Sequence, residues 1–180
     1  LPIECFEMDP IKTAEILSEH NDFYYSPYTY GFSNYSRIGY RKNLLSYGNV
    51  IDLSGKGPSG THLGGTGIAI SKKSENKDLA LKYSFWIAGS ECQQTIFYTN
   101  GGQPGNSNAW ENNTINEETN NFFKNTRLTL NQAWVRPRHN GYMKFQDESG
   151  NIINEYLQSN VSEVQVIEKL KLMYAESFEE

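Results

Sequence analysis

The chain of 180 residues holds only two cysteines, Cys5 and Cys92. That excludes a disulfide framework and any metal site built on cysteine spacing, and it leaves open whether the two pair. Histidine is scarce as well. His20, His62 and His139 lie far apart with no i+4 partner and no nearby cysteine, and they read as surface or hydrogen-bonding residues. No apolar run is long enough to span a bilayer. Basic charge is not in excess either: the formal net charge is −5, and clusters such as Arg41-Lys42 and Lys72-Lys73 are short. A phosphate backbone needs clustered Lys and Arg, so no nucleic-acid partner is expected.

The signatures of nucleotide binding and covalent catalysis are missing too. Gly65 and Gly67 precede a strand-like run instead of opening a helix, and Ile70 stands where a dinucleotide fingerprint needs its last glycine. There is no phosphate-binding loop ending in Lys-Ser or Lys-Thr, and no G-x-S-x-G elbow. The acid pairs Asp147-Glu148 and Glu117-Glu118 are sequence neighbours, whereas glycosidase carboxylates flank a bond across a cleft. No cofactor, metal or catalytic group is expected, and nothing in the chain demands an enzyme. The opening "LPIECFEMDP" is no signal peptide and lacks an initial methionine, so the chain is expected to be cut from something longer. The sequons at Asn34, Asn112 and Asn160 carry meaning only in a source that glycosylates secreted proteins.

What is abundant is aromatic. Phe, Trp and Tyr make up 13% of the chain, 12 of them tyrosines. A tyrosine offers a flat apolar face with a polar tip, which suits burial and also suits sugars. These residues recur with glycine, amides and arginine in "SPYTYGFSNYS", "HLGGTG", "YTNGGQPGNSNAW" and "WVRPRHNGY". Bare glycines let backbone N–H groups approach a ligand, aromatic faces stack on sugar rings, and Arg and Gln direct hydrogen bonds to hydroxyls. Loops of one chemistry are where binding residues gather.

The periodicity predicts an α/β protein. Asp9 followed by Pro10 sets a helix start for "IKTAEILSEH". "DFYYSPYTYGFSNYS" reads as a strand and loop, "RIGYRKNLLSYGNVIDL" as strand material, and "TGIAIS" as a short buried strand. Leu79, Tyr83, Trp86 and Ile87 share one face of a helix that Gly89 interrupts. Ser90 with Gln93, and Ser162 with Gln165, have the spacing of capping boxes. "NEETNNFFKNTRLTLNQA" is expected to be helical, and the final helix carries Val166, Leu170, Met173 and Tyr174 on one side.

Taken in order, several stretches resemble the C-terminal half of extracellular solute-binding proteins of ABC importers, in the sugar-binding group that includes maltose-binding proteins. They are "SPYTYGFSNYSRIGY", "LGGTGIAISKKSENKDLALKYSFWIAGSECQQTIFYTNGGQPG", "NAWENNTINEETNNFFKNTRLTLNQAWVRPRHNGYMKFQ" and "LMYAESF". The resemblance runs from about residue 22 to the end and is specific in combination, not in any single piece. It implies an α/β lobe of type II periplasmic-binding-protein form, a sheet layered with helices, serving as half of a two-lobed clamp. Residues 1–71 and 128–180 would form second-lobe segments, and the helical segment 72–127 would pack on a first lobe encoded upstream.

The same resemblance implies the site and the partners. Tyr28 and Tyr30 would line the second-lobe wall, and Gly64, Gly65, Thr66 and Gly67 would present main chain at the cleft end of a strand. Gln103 would face the cleft from the other lobe, while Trp134, Arg136 and Tyr142 would approach from the crossing segment and the helix after it. Arg138 would serve as a ligand contact or as a salt bridge. The ligand would be a small solute, foremost a carbohydrate, handed to the permease subunits of the importer at the extracellular face or in the periplasm. Membrane association would come only through an anchor outside this chain. Two other readings stand beside it: a carbohydrate-active enzyme or accessory carbohydrate-binding module, and an interaction domain with its tyrosines buried at a protein interface.

Overall fold

The computed structural model describes residues 3–52 and 54–179. Residues 1, 2, 53 and 180, which belong to the expected segments 1–71 and 128–180, lie outside the described residues, as does the last position of the strand-like stretch 37–53. The chain divides into two compact units, Asp9–Trp134 and a smaller one of Leu1–Met8 with Val135–Glu180. The helical segment 72–127 lies inside the larger unit.

The larger unit opens with α1 (Pro10–Glu19), which begins where the sequence predicts: Asp9 Oδ1 accepts the Lys12 N–H at 2.7 Å, and Pro10 occupies the first helical position. A 3₁₀ turn at Ser33–Ser36 follows. Then come α2 (Lys77–Ala88), α3 (Ser90–Gln94), α4 (Ile96–Thr99), α5 (Ser107–Glu111), α6 (Asn113–Glu118) and α7 (Phe122–Asn131). Gly89 ends α2 as expected, its N–H on the Trp86 carbonyl. The expected single helix over "NEETNNFFKNTRLTLNQA" is two, because Asn120 and Asn121 both adopt left-handed φ values of 50° and 58°. Asparagine tolerates that region better than most residues. Neither capping box forms: Ser90 lies inside α3 with its hydroxyl taken by Gln94, and Ser162 caps through backbone alone.

The core of this unit is Tyr98, Ala109, Trp110, Ile115, Phe122 and Phe123, with Tyr47 and Leu130 packed against it. The rings meet edge to face, Trp110 on Phe123 at 5.0 Å and Phe122 on Phe123 at 5.1 Å, the arrangement that aromatic quadrupoles favour. Buried polar groups here are paired: Trp110 Nε1–H donates to the Pro104 carbonyl at 2.7 Å, and Asn116 uses both ends of its amide on backbone.

An α/β lobe is not what the chain forms. About half of it is helical (52%), only 1% is strand, and there is no sheet among the described residues. Strands persist only where a neighbour completes their backbone bonds. Residues 41–48 do alternate half-buried and exposed along the chain, as a strand would. Yet their neighbours are side chains and helix ends, not a second strand. The Leu45 N–H reaches the Tyr35 carbonyl, and farther on Thr129 bonds Asn49 Oδ1 and the Val50 N–H. The stretch is a strap over helices. "TGIAIS" is likewise no strand and is not buried: Thr66 to Ala69 are exposed. The apolar face of α2 is also uncovered, with no buried residue on that helix and Leu79 68% exposed.

Two buried tyrosines make the larger unit sensitive to alkali. Burial and then the Glu118 carboxylate, which accepts the Tyr98 hydroxyl at 2.8 Å, push that phenol up to about 12. Burial and Glu15 do the same for Tyr35, also to about 12. The folded state therefore holds these protons more tightly than the unfolded chain does. Their contribution is complete below the ordinary phenol value near 10 and is lost as pH rises from there toward 12. Melting temperature is expected to fall across that window, with a late-titrating tyrosinate absorbance; a flat melting temperature there would contradict the assignment.

The smaller unit contains a 3₁₀ turn at Ile3–Glu7, α8 (Tyr142–Leu157) and α9 (Glu163–Glu176). α9 turns Val166, Leu170 and Met173 inward as its spacing predicts, while Tyr174 stays part-exposed. His139 stacks on Phe178 at 4.1 Å, and its Nε2 lies 2.8 Å from Ser177 Oγ. Since that hydroxyl donates to the Tyr174 carbonyl, the imidazole is the donor to Ser177. The pair is a latch on the end of α9, not a nucleophile with its base.

Candidate functional site: an exposed aromatic and glycine platform

The larger unit brings several of the expected residues together. The glycine loop 60–65 is gripped from two sides. On one side, the Tyr28 hydroxyl donates to the Gly60 carbonyl, and the Tyr30 ring lies against Gly64, 3.4 Å from where a Cβ would stand. On the other, the Trp134 N–H donates to the Thr61 carbonyl at 2.8 Å and the Leu63 N–H to the Trp134 carbonyl at 2.9 Å. This is a parallel bridge between His62 and Trp134, the sole bridge among the described residues. The His62 ring rests 5.1 Å from the Trp134 ring.

The result is a surface on which Tyr28 is 61%, Tyr30 43% and Trp134 44% exposed. Gly65, Thr66 and Gly67 continue from it, all exposed. A Cβ added at Gly65 or Gly67 would meet nothing within 4 Å, and neither has a positive φ. The fold of this unit thus gives no reason for glycine at either position. The main chain at both positions is open to the outside.

Gln103 is exposed, on the turn after α4, and reaches the same region from below: its Oε1 accepts the Ser33 N–H at 2.7 Å and its Nε2 donates to the Gly31 carbonyl at 3.4 Å. Gly31 in turn lies over the core, where a Cβ would stand 3.0 Å from Phe122. Beneath it is Tyr47, whose phenol burial pushes up.

Arg136 and Tyr142 belong to the smaller unit. Arg136 is half-buried, and Tyr142 is buried beside His139 and Phe145 at the start of α8. Arg138 is exposed and forms no ion pair among the described residues. Sequence reasoning passed over His62 as a site residue. It stands next to the glycines, but its contact with Trp134 spans the chain and leaves no local signal. A cavity of about 420 Å³, lined by Trp110, Glu111, Asn116, Lys124 and Arg127 among others, lies elsewhere in the unit and holds none of the platform residues. No helix of the described residues is long and apolar enough to cross a membrane.

No protein-family model, curated protein or solved structure matches the chain.

Proposed function

We propose that this chain is part of the solute-binding component of an ABC importer, and that the platform of Tyr28, Tyr30, Gly64, Gly65, Thr66 and Trp134 forms one wall of its solute cleft. The solute class is carbohydrate, held by stacking on tyrosine and tryptophan faces and by hydrogen bonds to bare main chain. The protein works at the extracellular face or in the periplasm, delivering its solute to the permease subunits. The layered sheet is no part of this reading, since the platform is made of loops.

The observation that carries it is the glycine pair. Gly65 and Gly67 have open space around them and ordinary backbone, next to a cluster of exposed aromatics. The uncovered apolar residues of α2 supply a second support, because a further lobe packed on segment 72–127 would cover them.

Calorimetric titration of the chain with mono- and oligosaccharides tests the proposal. Saccharide binding is expected, weakened about tenfold or more by Trp134→Ala or Tyr30→Ala. Tight binding of a peptide or a metal ion with none to any saccharide would overturn the solute class. Saccharide binding untouched by both substitutions would overturn the site.

A further inference from the structure

Among the described residues the Tyr28–Tyr30 wall has no neighbouring strand, yet its downstream end has the backbone of one. Phe32 sits at φ −118°, ψ 113°, which is the conformation of a parallel β-strand. In a parallel ladder, one residue of the neighbour donates its N–H to the residue before and accepts at its C=O from the residue after the one it faces. Trp134 does this with its main chain around His62, through Thr61 and Leu63. The Gln103 side chain does the same around Phe32: its amide donates to the Gly31 carbonyl and its oxygen accepts the Ser33 N–H.

We propose that Gln103 is a positioning residue whose carboxamide stands in for the main-chain N–H and C=O of one residue of an absent neighbouring strand and thereby sets the Tyr28–Tyr30 wall. As a solute-site function this rests on the reading above; as a structural role it does not. Two further bonds cross the same seam. Asn34 Nδ2 donates to the Gly101 carbonyl at 3.1 Å, and Arg37 Nη1 to the Tyr98 carbonyl at 2.9 Å. They tie the 3₁₀ turn to the end of α4, and Gln103 extends the tie one step upstream, to the residue after Tyr30. Tyr30 then lands on Gly64. Gly102 makes the turn possible, since a Cβ there would stand 2.5 Å from the Phe97 ring and 2.6 Å from its carbonyl. Among the described residues one N–H of the carboxamide has no partner, so the same side chain can meet a solute hydroxyl.

An amide is needed here because the two bonds demand a donor and an acceptor on one planar group. A protonated carboxyl supplies both, and a carboxylate supplies only acceptors. The variant Gln103→Glu is therefore a pH-controlled test, and it needs no solute. In the full chain the Ser33 N–H keeps an acceptor in both carboxyl forms, whereas the bond donated to the Gly31 carbonyl is lost on ionisation, so the Gly31 carbonyl carbon shift is expected to stay near the wild-type value below the carboxyl pKa and to move away from it as the carboxyl ionises. Gln103→Ala removes the acceptor, and Ser33 amide exchange is expected to be about tenfold faster than in the wild type at every pH, with helical content unchanged.

Equal Ser33 exchange in wild type and Gln103→Ala would overturn the proposal. So would a Gln103→Glu variant whose Gly31 carbonyl shift differs from wild type by the same amount at all pH values, since loss of packing alone carries no titration. The exchange readout is independent of any saccharide titration, so failure of the solute reading leaves it intact. If saccharide binding is found, its affinity in Gln103→Glu is expected to fall over the same pH range.

Discussion

Phe123→Ala is expected to cost the larger unit about 3–5 kcal/mol, enough to leave much of it unfolded in mild denaturant. Phe123 has no exposed surface and sits edge-on to both Trp110 and Phe122. The core around it is small, and α5, α6 and α7 are too short to hold as isolated helices. Removing the ring therefore opens a cavity that those helices can close only by giving up their own contacts. The control is Phe85→Ala on α2, where the side chain is 71% exposed and the change should stay within about 0.5 kcal/mol. Urea denaturation followed by near-ultraviolet circular dichroism checks the pair. Equal effects at the two positions would mean that the ring cluster is not the core.

Gly141→Ala is expected to have the largest effect in the smaller unit. Its backbone is ordinary, with φ of −72° and ψ of −9°, so conformational freedom is not the reason for glycine. Space is. A Cβ there would overlap the Ser177 carbonyl oxygen and lie 2.9 Å from its carbon, and both are main-chain atoms that cannot rotate aside. The loop and the end of α9 must separate, which breaks the His139–Ser177 bond and the Phe178 stack. Overpacking of this kind costs about 1–3 kcal/mol or more. Gly150→Ala gives the opposite sign: it lies in the middle of α8 with nothing within 4 Å, and alanine should add about 0.5–1 kcal/mol. Thermal melts of the two variants, with the His139 ring proton shift as local probe, test both signs at once.

Where the sequence spoke through local chemistry, it was legible. Asp9-Pro10 starts α1, Gly89 stops α2, and the α9 spacing turns Val166, Leu170 and Met173 inward. The strand-like composition around residues 41–48 was legible, but not its meaning: the burial there alternates with a period of two, which describes any extended chain lying on a surface, with or without a neighbouring strand. The break between α6 and α7 escaped because left-handed asparagines at 120 and 121 are an option that Asn-Asn permits and does not require. The face of α2 was identified correctly as apolar, yet the unit leaves it bare.

The candidate site divides in the same way. Glycines, tyrosines and Trp134 were visible as residue types suited to a ligand. Tyr142 was visible too, but the fold buries it beside His139. Gln103 was read as facing a cleft, while the structure also spends its amide on Gly31 and Ser33.

By itself, then, the sequence determined which segments coil, where several of them begin and end, and which side chains have the chemistry to hold a solute. These follow from bonds and sterics reaching only a few residues along the chain. The tertiary structure alone decided that the extended segments pair with side chains instead of strands, that Tyr28, Tyr30 and Trp134 hold one glycine loop, and that a glutamine brackets Phe32 as a strand residue would. Those outcomes depend on which distant groups come within about 3 Å of an unpaired backbone amide, and no local pattern encodes that distance.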